Sequence, residues 1–267
     1  KDCLMDFKTS DGIRINYYVY GAGKPVVLIH GFGGYQQIWC LQIKNLIQQG
    51  YQVITYDQRN HGASTRDEQL DSIELLIKDL YELLNYLNIA KPFLIGHSMG
   101  ASVIYGFLSL YTDFPLSGVI AIDQSPKMLN TIQWPYGYMD VTRASYKLKL
   151  KEHGNVRETL NGVPSQVISK LEPEKEMFPF IRAENLPLLY DHAKRDWRLT
   201  LEKINIPTLL VTANQSPYFN GKFADVMRQA NPKFISHQAV DQSGHVIMAE
   251  QANKFNKIMD NYLKEHQ

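Results

Sequence analysis

Short continuous apolar runs and longer runs of helical period take turns along most of the chain. The apolar stretches 26–29, 92–95, 116–122 and 207–211 lack polar alternation and read as strands buried on both faces. Residues 51–56 and 234–238 add further strands. Near the start, 3–8 and 13–20 alternate, with Ser10-Asp11-Gly12 between them as a hairpin turn. Ile73, Leu76, Ile77, Leu80, Leu83, Leu84 and Leu87 recur at helical spacing, which predicts an amphipathic helix over 71–88. Helices are likewise expected over 37–49, 99–110, 221–230 and about 246–264. Strands alternating with helices predict an α/β fold, a mostly parallel sheet covered by helices on both faces. The rhythm breaks after Pro126: residues 127–200 carry no strand signal, and short helices such as 140–152 and 156–161 are expected between prolines. The expected organisation is one α/β core, residues 1–126 with 200–267, interrupted by a cap (lid) insertion over 127–199.

Composition narrows the class. The chain has 267 residues, 44% hydrophobic and 11% aromatic, with a net charge of +1 and no charged block. A sizeable core is therefore expected, with no nucleic-acid partner and no electrostatic membrane partner. Cys3 and Cys40 are the only cysteines, which fits a reducing compartment. No signal-peptide pattern and no apolar run near 18 residues is present; the expectation is a cytoplasmic protein without a membrane span, monomeric or homodimeric. There is no His-Glu-x-x-His, no Cys/His cluster and no nicotinamide or flavin fingerprint, so neither a metal nor a redox cofactor is expected.

The chemistry gathers where apolar runs end. The run 92–95 passes into Gly96-His97-Ser98-Met99-Gly100 and then at once into a helix. Gly-x-Ser-x-Gly between strand and helix places the serine at the tip of a sharp, strained turn. The helix N-terminus points its amides at any anion forming beside the serine oxygen. The run 26–29 leads into His30-Gly31-Phe32-Gly33-Gly34. This loop lacks the Lys-Ser/Thr of a phosphate loop and reads as an oxyanion loop, its backbone amides free to approach a substrate. Asp57, Arg59 and His61 lie in a polar loop and are expected to hold it together by hydrogen bonds.

Taken in order, these motifs and a late Gly244-His245 resemble the α/β-hydrolase family over nearly the whole chain. The Asp57-x-Arg59-Asn60-His61-Gly62 form is similar to that of small esterases of acyl-ester or acyl-thioester substrates. The resemblance implies an α/β-hydrolase fold, an eight-stranded sheet with a variable helical cap, and a Ser-acid-His triad at the carboxyl edge. Ser98 would be the nucleophile. His245, between the last strand and last helix, stands where the family places its base. Of the other histidines, His266 is terminal, His153 and His192 are expected to be solvated, His237 lies in a strand, and His30, His61 and His97 are expected to matter through backbone. The family usually holds its acid after the strand equivalent to 208–211, where this chain has Ser216. Asp123 ends the preceding strand, a position some dehalogenases and small esterases use, and becomes the expected acid; a turn cap is its alternative role, and Asp241 the alternative acid. The backbone N–H groups of Phe32 and Met99 would form the oxyanion hole.

Tyr35, Trp39, Met128, Trp134 and Tyr138, with Phe32, are candidates to line an apolar acyl pocket, or else to form the cap's own core. The resulting expectation is a serine hydrolase of short to medium acyl esters acting on a small-molecule ester or thioester through an acyl-serine. Thioesterase, lactonase, amidase, carbon–carbon hydrolase or cofactor-free perhydrolase would use the same residues. A non-catalytic receptor or scaffold is the alternative of another class.

Overall fold

The computed structural model describes residues 5–267, so the first residues of the strand expected over 3–8 lie outside the described residues. The strands are β1 (Met5–Lys8), β2 (Arg14–Tyr20), β3 (Lys24–Ile29), β4 (Tyr51–Tyr56), β5 (Phe93–His97), β6 (Gly118–Ile122), β7 (Thr208–Ala213) and β8 (Ile235–Val240). They form an eight-stranded sheet in the order β1-β2-β4-β3-β5-β6-β7-β8. β1 and β2 join antiparallel, and β3 through β8 run parallel.

Period-two alternation inside apolar strands gives the sheet its two cores. In β3, Val26 and Leu28 face one core while Val27 and Ile29 face the other. The first core packs under α2 (Ile73–Tyr86) and α3 (Met99–Leu110); the second packs under α1 (Cys40–Gln48) and the C-terminal helices. The start of α2 is set by Ser72, whose hydroxyl accepts from Glu74 N at 3.2 Å. The chain leaves β3 for β4 on one side and crosses back to β5 on the other. The carboxyl ends of β3 and β5 thus flank a topological switch point, where open α/β sheets form crevices.

Between β6 and β7 the chain forms α4 (Tyr146–Glu152), α5 (Ser165–Met177), α6 (Leu186–Lys194) and α7 (Arg198–Lys203). Only isolated bridges occur there, not strands. The helix expected over 140–152 begins at Tyr146, and the one expected over 156–161 is not formed. That stretch lies between Gly154 and Gly162, both at positive φ, and the Glu158 carbonyl is taken by His245 N at 2.7 Å. Its backbone is a strap on the loop after β8. The prolines do not simply separate helices: Pro173 lies inside α5 and Pro187 in the first turn of α6. α8 (Lys222–Ala230) precedes β8, and α9 (Ile247–Glu250) and α10 (Ala252–Glu265) follow it. The single helix expected over 246–264 is thus broken at Gln251 (φ −118°, ψ 48°). Among the described residues no helix is long and apolar enough to cross a membrane.

Candidate active site

Ser98 sits between β5 and α3 with φ 55° and ψ −125°, a conformation that costs an L-residue on the order of 1–3 kcal/mol. The flanking glycines are required by contact: a Cβ on Gly96 would lie 2.5 Å from Gly100 O, and one on Gly100 2.3 Å from Ile29 O. The turn is held from the sheet side by Ser98 N donating to Ile122 O at 3.0 Å. Among the described residues the Ser98 hydroxyl has no hydrogen-bond partner, and it opens on the same cavity as His245.

Asp123 follows β6, fully buried and at φ 49°. Its backbone N–H donates to Val211 O at 2.7 Å. Its Oδ2 lies 2.6 Å from His245 Nδ1, so the ring presents its Nδ1 hydrogen to the carboxylate and keeps the Nε2 lone pair free. The same oxygen accepts from Ser216 Oγ at 2.7 Å. Ser216 Oγ is itself oriented by the N–H groups of Tyr218 and Phe219, at 3.2 and 3.3 Å. The serine at the family's usual acid position therefore serves Asp123. Asp241 faces away and accepts from Gln215 Nε2 at 3.0 Å. His245 is fixed on its backbone by the Glu158 carbonyl and by His97 Nε2, which donates to His245 O at 2.9 Å. The Tyr218 ring stands edge-on to the imidazole at 4.7 Å.

The glycine-rich loop lies over the serine: a Cβ on Gly31 would come within 3.0 Å of Ser98 Cβ. Histidine rings, not only backbone, hold it, contrary to the sequence expectation. His30 Nδ1 donates to Gly31 O at 2.8 Å while its Nε2 accepts from Gln58 N at 3.0 Å. His61 Nε2 accepts from Gly33 N at 3.0 Å and its Nδ1 donates to Arg59 O at 2.8 Å. Each ring needs one bare nitrogen, and burial provides it by pushing both histidines below the usual range. Asp57 accepts from Gln36 and Ala63, and Arg59 reaches Asp11, Asp67 and Asp79, so their role in the polar loop is structural. Among the described residues, the N–H groups of Phe32 and Met99 have no acceptor.

A cavity of about 630 Å³ joins these parts, within the usual range for small-molecule sites. Tyr35, Met128 and Tyr138 line it, as does Phe32. Trp39 and Trp134 do not. Trp39 is sealed in the second core beside α1. Trp134 donates Nε1 to Lys127 O at 3.0 Å and lies under Arg198, 5.0 Å from the ring centre. Further lining residues come from the 127–199 segment without any sequence signal, among them Leu150, His153, Glu158, Arg182 and His192. The expectation of solvation fails for His192 and holds only in part for His153, which is half-buried. His192 is 4% exposed and burial lowers it to about 4. His153 sits between the hydroxyls of Tyr138 and Tyr218, at 3.3 and 3.2 Å.

Residues 24–252 match the family described as alpha/beta hydrolase fold. The chain is 34% identical over 131 residues to a putative non-heme chloroperoxidase of Synechocystis sp., covering 49% of this chain and 48% of that protein. It is 25% identical over 251 residues to esterase YbfF of Escherichia coli, covering 90% of this chain and 93% of that protein. The chain spans about half the length of several of the curated relatives it matches. Among solved structures it is similar to an esterase from Exiguobacterium antarcticum, with a TM-score of 0.81, 22% identity, and 97% and 98% of the two chains covered. That likeness is one of fold.

Proposed function

The chain belongs to the α/β-hydrolase fold family, and from that premise we propose that it is a serine hydrolase of carboxylic esters with short to medium acyl chains. The observation that carries this reading is the 2.6 Å contact between Asp123 Oδ2 and His245 Nδ1, formed beside a cavity that also exposes a serine in strained geometry. Ser98 Oγ attacks the ester carbonyl carbon and passes its proton to His245 Nε2. The imidazolium so formed is stabilised by Asp123, and Ser216 holds that carboxylate in place. The carbonyl oxygen, now negative, accepts from Phe32 N–H and Met99 N–H, and α3 adds the positive end of its dipole. Collapse breaks the bond to the leaving alcohol, which takes the proton from His245. Water, activated by the same ring, then releases the acid from Ser98. Residues 127–199 serve as the lid in this scheme, since they line the cavity opposite the elbow.

Hydrolysis of p-nitrophenyl esters from acetate to decanoate tests the reading. Ser98→Ala is expected to lose on the order of 10⁶ in kcat, and Asp123→Asn roughly 10⁴ with folding intact. Near-full turnover by Asp123→Asn would remove Asp123 as the acid. A wild type inert to every ester, and a Ser98 unlabelled by a fluorophosphonate, would favour a receptor or scaffold.

A further inference from the structure

The cavity contains a cation without an ion-pair partner. Arg182 lines it from the segment between α5 and α6. Its Nη2 donates to Leu150 O at 2.7 Å. Among the described residues Nε is sealed from solvent without an acceptor, Nη1 has no acceptor either, and no carboxylate lies within 4 Å of the guanidinium. Burial works against its charge. The other charged groups of the cavity form no ion pair with it: Glu158, which favours its charge only at longer range, is exposed and its Oε1 is taken by Tyr218 OH at 2.8 Å, while Lys175 is a second cation.

The position of this cation ties it to the reacting centre. The guanidinium carbon lies 5.5 Å from the centre of the Phe32 ring, so it stands one aromatic ring from the loop that overhangs Ser98. An arginine kept partly out of water with unused donors is a poor structural device, because it forfeits hydration without gaining an ion pair. It is a good binding device, because its planar fork matches a carboxylate. Resting on the hydrolase reading above, we propose that the preferred substrates are esters carrying a second, free carboxylate, which Arg182 holds away from the scissile bond. Monoesters of short dicarboxylic acids are the simplest compounds of this class.

The test compares monoethyl succinate, glutarate and adipate with the uncharged ethyl hexanoate, following acid release in a pH-stat. The wild type is expected to favour at least one monoanion, and Arg182→Gln to lose roughly ten- to hundredfold in kcat/KM on that ester. Ethyl hexanoate should change by less than about threefold in the same variant, which separates lost recognition from damaged folding. Arg182→Lys should recover part of the preference. A preference for the neutral ester, or one that survives Arg182→Gln but vanishes in Lys175→Gln, overturns the proposal. Binding of the monoesters to Ser98→Ala, measured by calorimetry, does not depend on turnover. If no ester is hydrolysed yet Arg182→Gln abolishes that binding, the hydrolase reading fails and the carboxylate site stands. If hydrolysis proceeds but neither preference nor binding depends on Arg182, the hydrolase reading stands and the carboxylate site is refuted.

Discussion

The Ser216 hydroxyl ties the loop after β7 to the Asp123 oxygen that faces His245. It donates to Asp123 Oδ2 and is aimed by two backbone amides of the loop after β7. A hydrogen bond to a charged acceptor contributes more than a neutral one, and here it also fixes the oxygen that faces His245. Ser216→Ala is expected to lower kcat roughly tenfold, with KM changed by less than about twofold, because the contact acts on the imidazolium and not on the bound ester. Unchanged kcat would mean that backbone alone orients Asp123. At this scale, what the sequence revealed were residues at the ends of strands. Ser98 and Asp123 each follow an apolar run and His245 follows the last strand, so the topology that places these strands side by side also places the three residues. Arg182, His153 and His192 were not legible. They lie in a segment without period, and their partners, Leu150, Tyr138 and Tyr218 among them, come from other turns of that segment or from beyond β7. Trp39 and Trp134 misled for a related reason: bulk and apolarity mark burial but not which void is filled.

The strap over residues 153–163 couples the insertion to the His245 loop through backbone. Glu158 O accepts from His245 N at 2.7 Å, and a Cβ on Gly244 would lie only 2.2 Å from that oxygen. Gly244→Ala must therefore push the strap away or tilt the His245 loop. A displacement of an ångström at a catalytic base is worth about 10² in rate. Gly244→Ala is accordingly expected to lower kcat/KM by roughly ten- to hundredfold, while its thermal midpoint falls by only a few degrees, since neither core is touched. Unchanged kcat/KM in Gly244→Ala would refute the coupling. The strap also explains why elements of the insertion were read poorly. Its stretch 156–161 has residues that a helix tolerates, but the carbonyl of Glu158 is bonded outside the segment. The core strands were read well because both of their faces are buried, and continuous apolarity survives any packing detail.

For the whole molecule, the same burial that shapes the site makes the fold sensitive to acid. His30, His61, His97 and His192 are all buried, and burial lowers each of them. In the unfolded chain they titrate near the ordinary histidine value, so below about pH 6.5 the unfolded state takes up protons that the folded state refuses. Their contribution to stability is thus complete above that pH and falls as the solution is acidified. For His192, lowered from 6.5 to about 4, the loss runs between those values and then levels off. It amounts to about 2 kcal/mol at pH 5 relative to pH 7.5. His192→Gln removes the titration and retains a polar side chain. Urea unfolding at the two pH values should therefore show the wild type losing more stability than His192→Gln, by about 2 kcal/mol. Equal losses in the two proteins would mean that His192 is protonated in the native state, with a partner in the cavity. The rings of His30 and His61 hold the glycine-rich loop only while each keeps a bare nitrogen; burial keeps the folded rings neutral while the unfolded chain titrates, so the loop that overhangs Ser98 should stay held as global stability begins to fall.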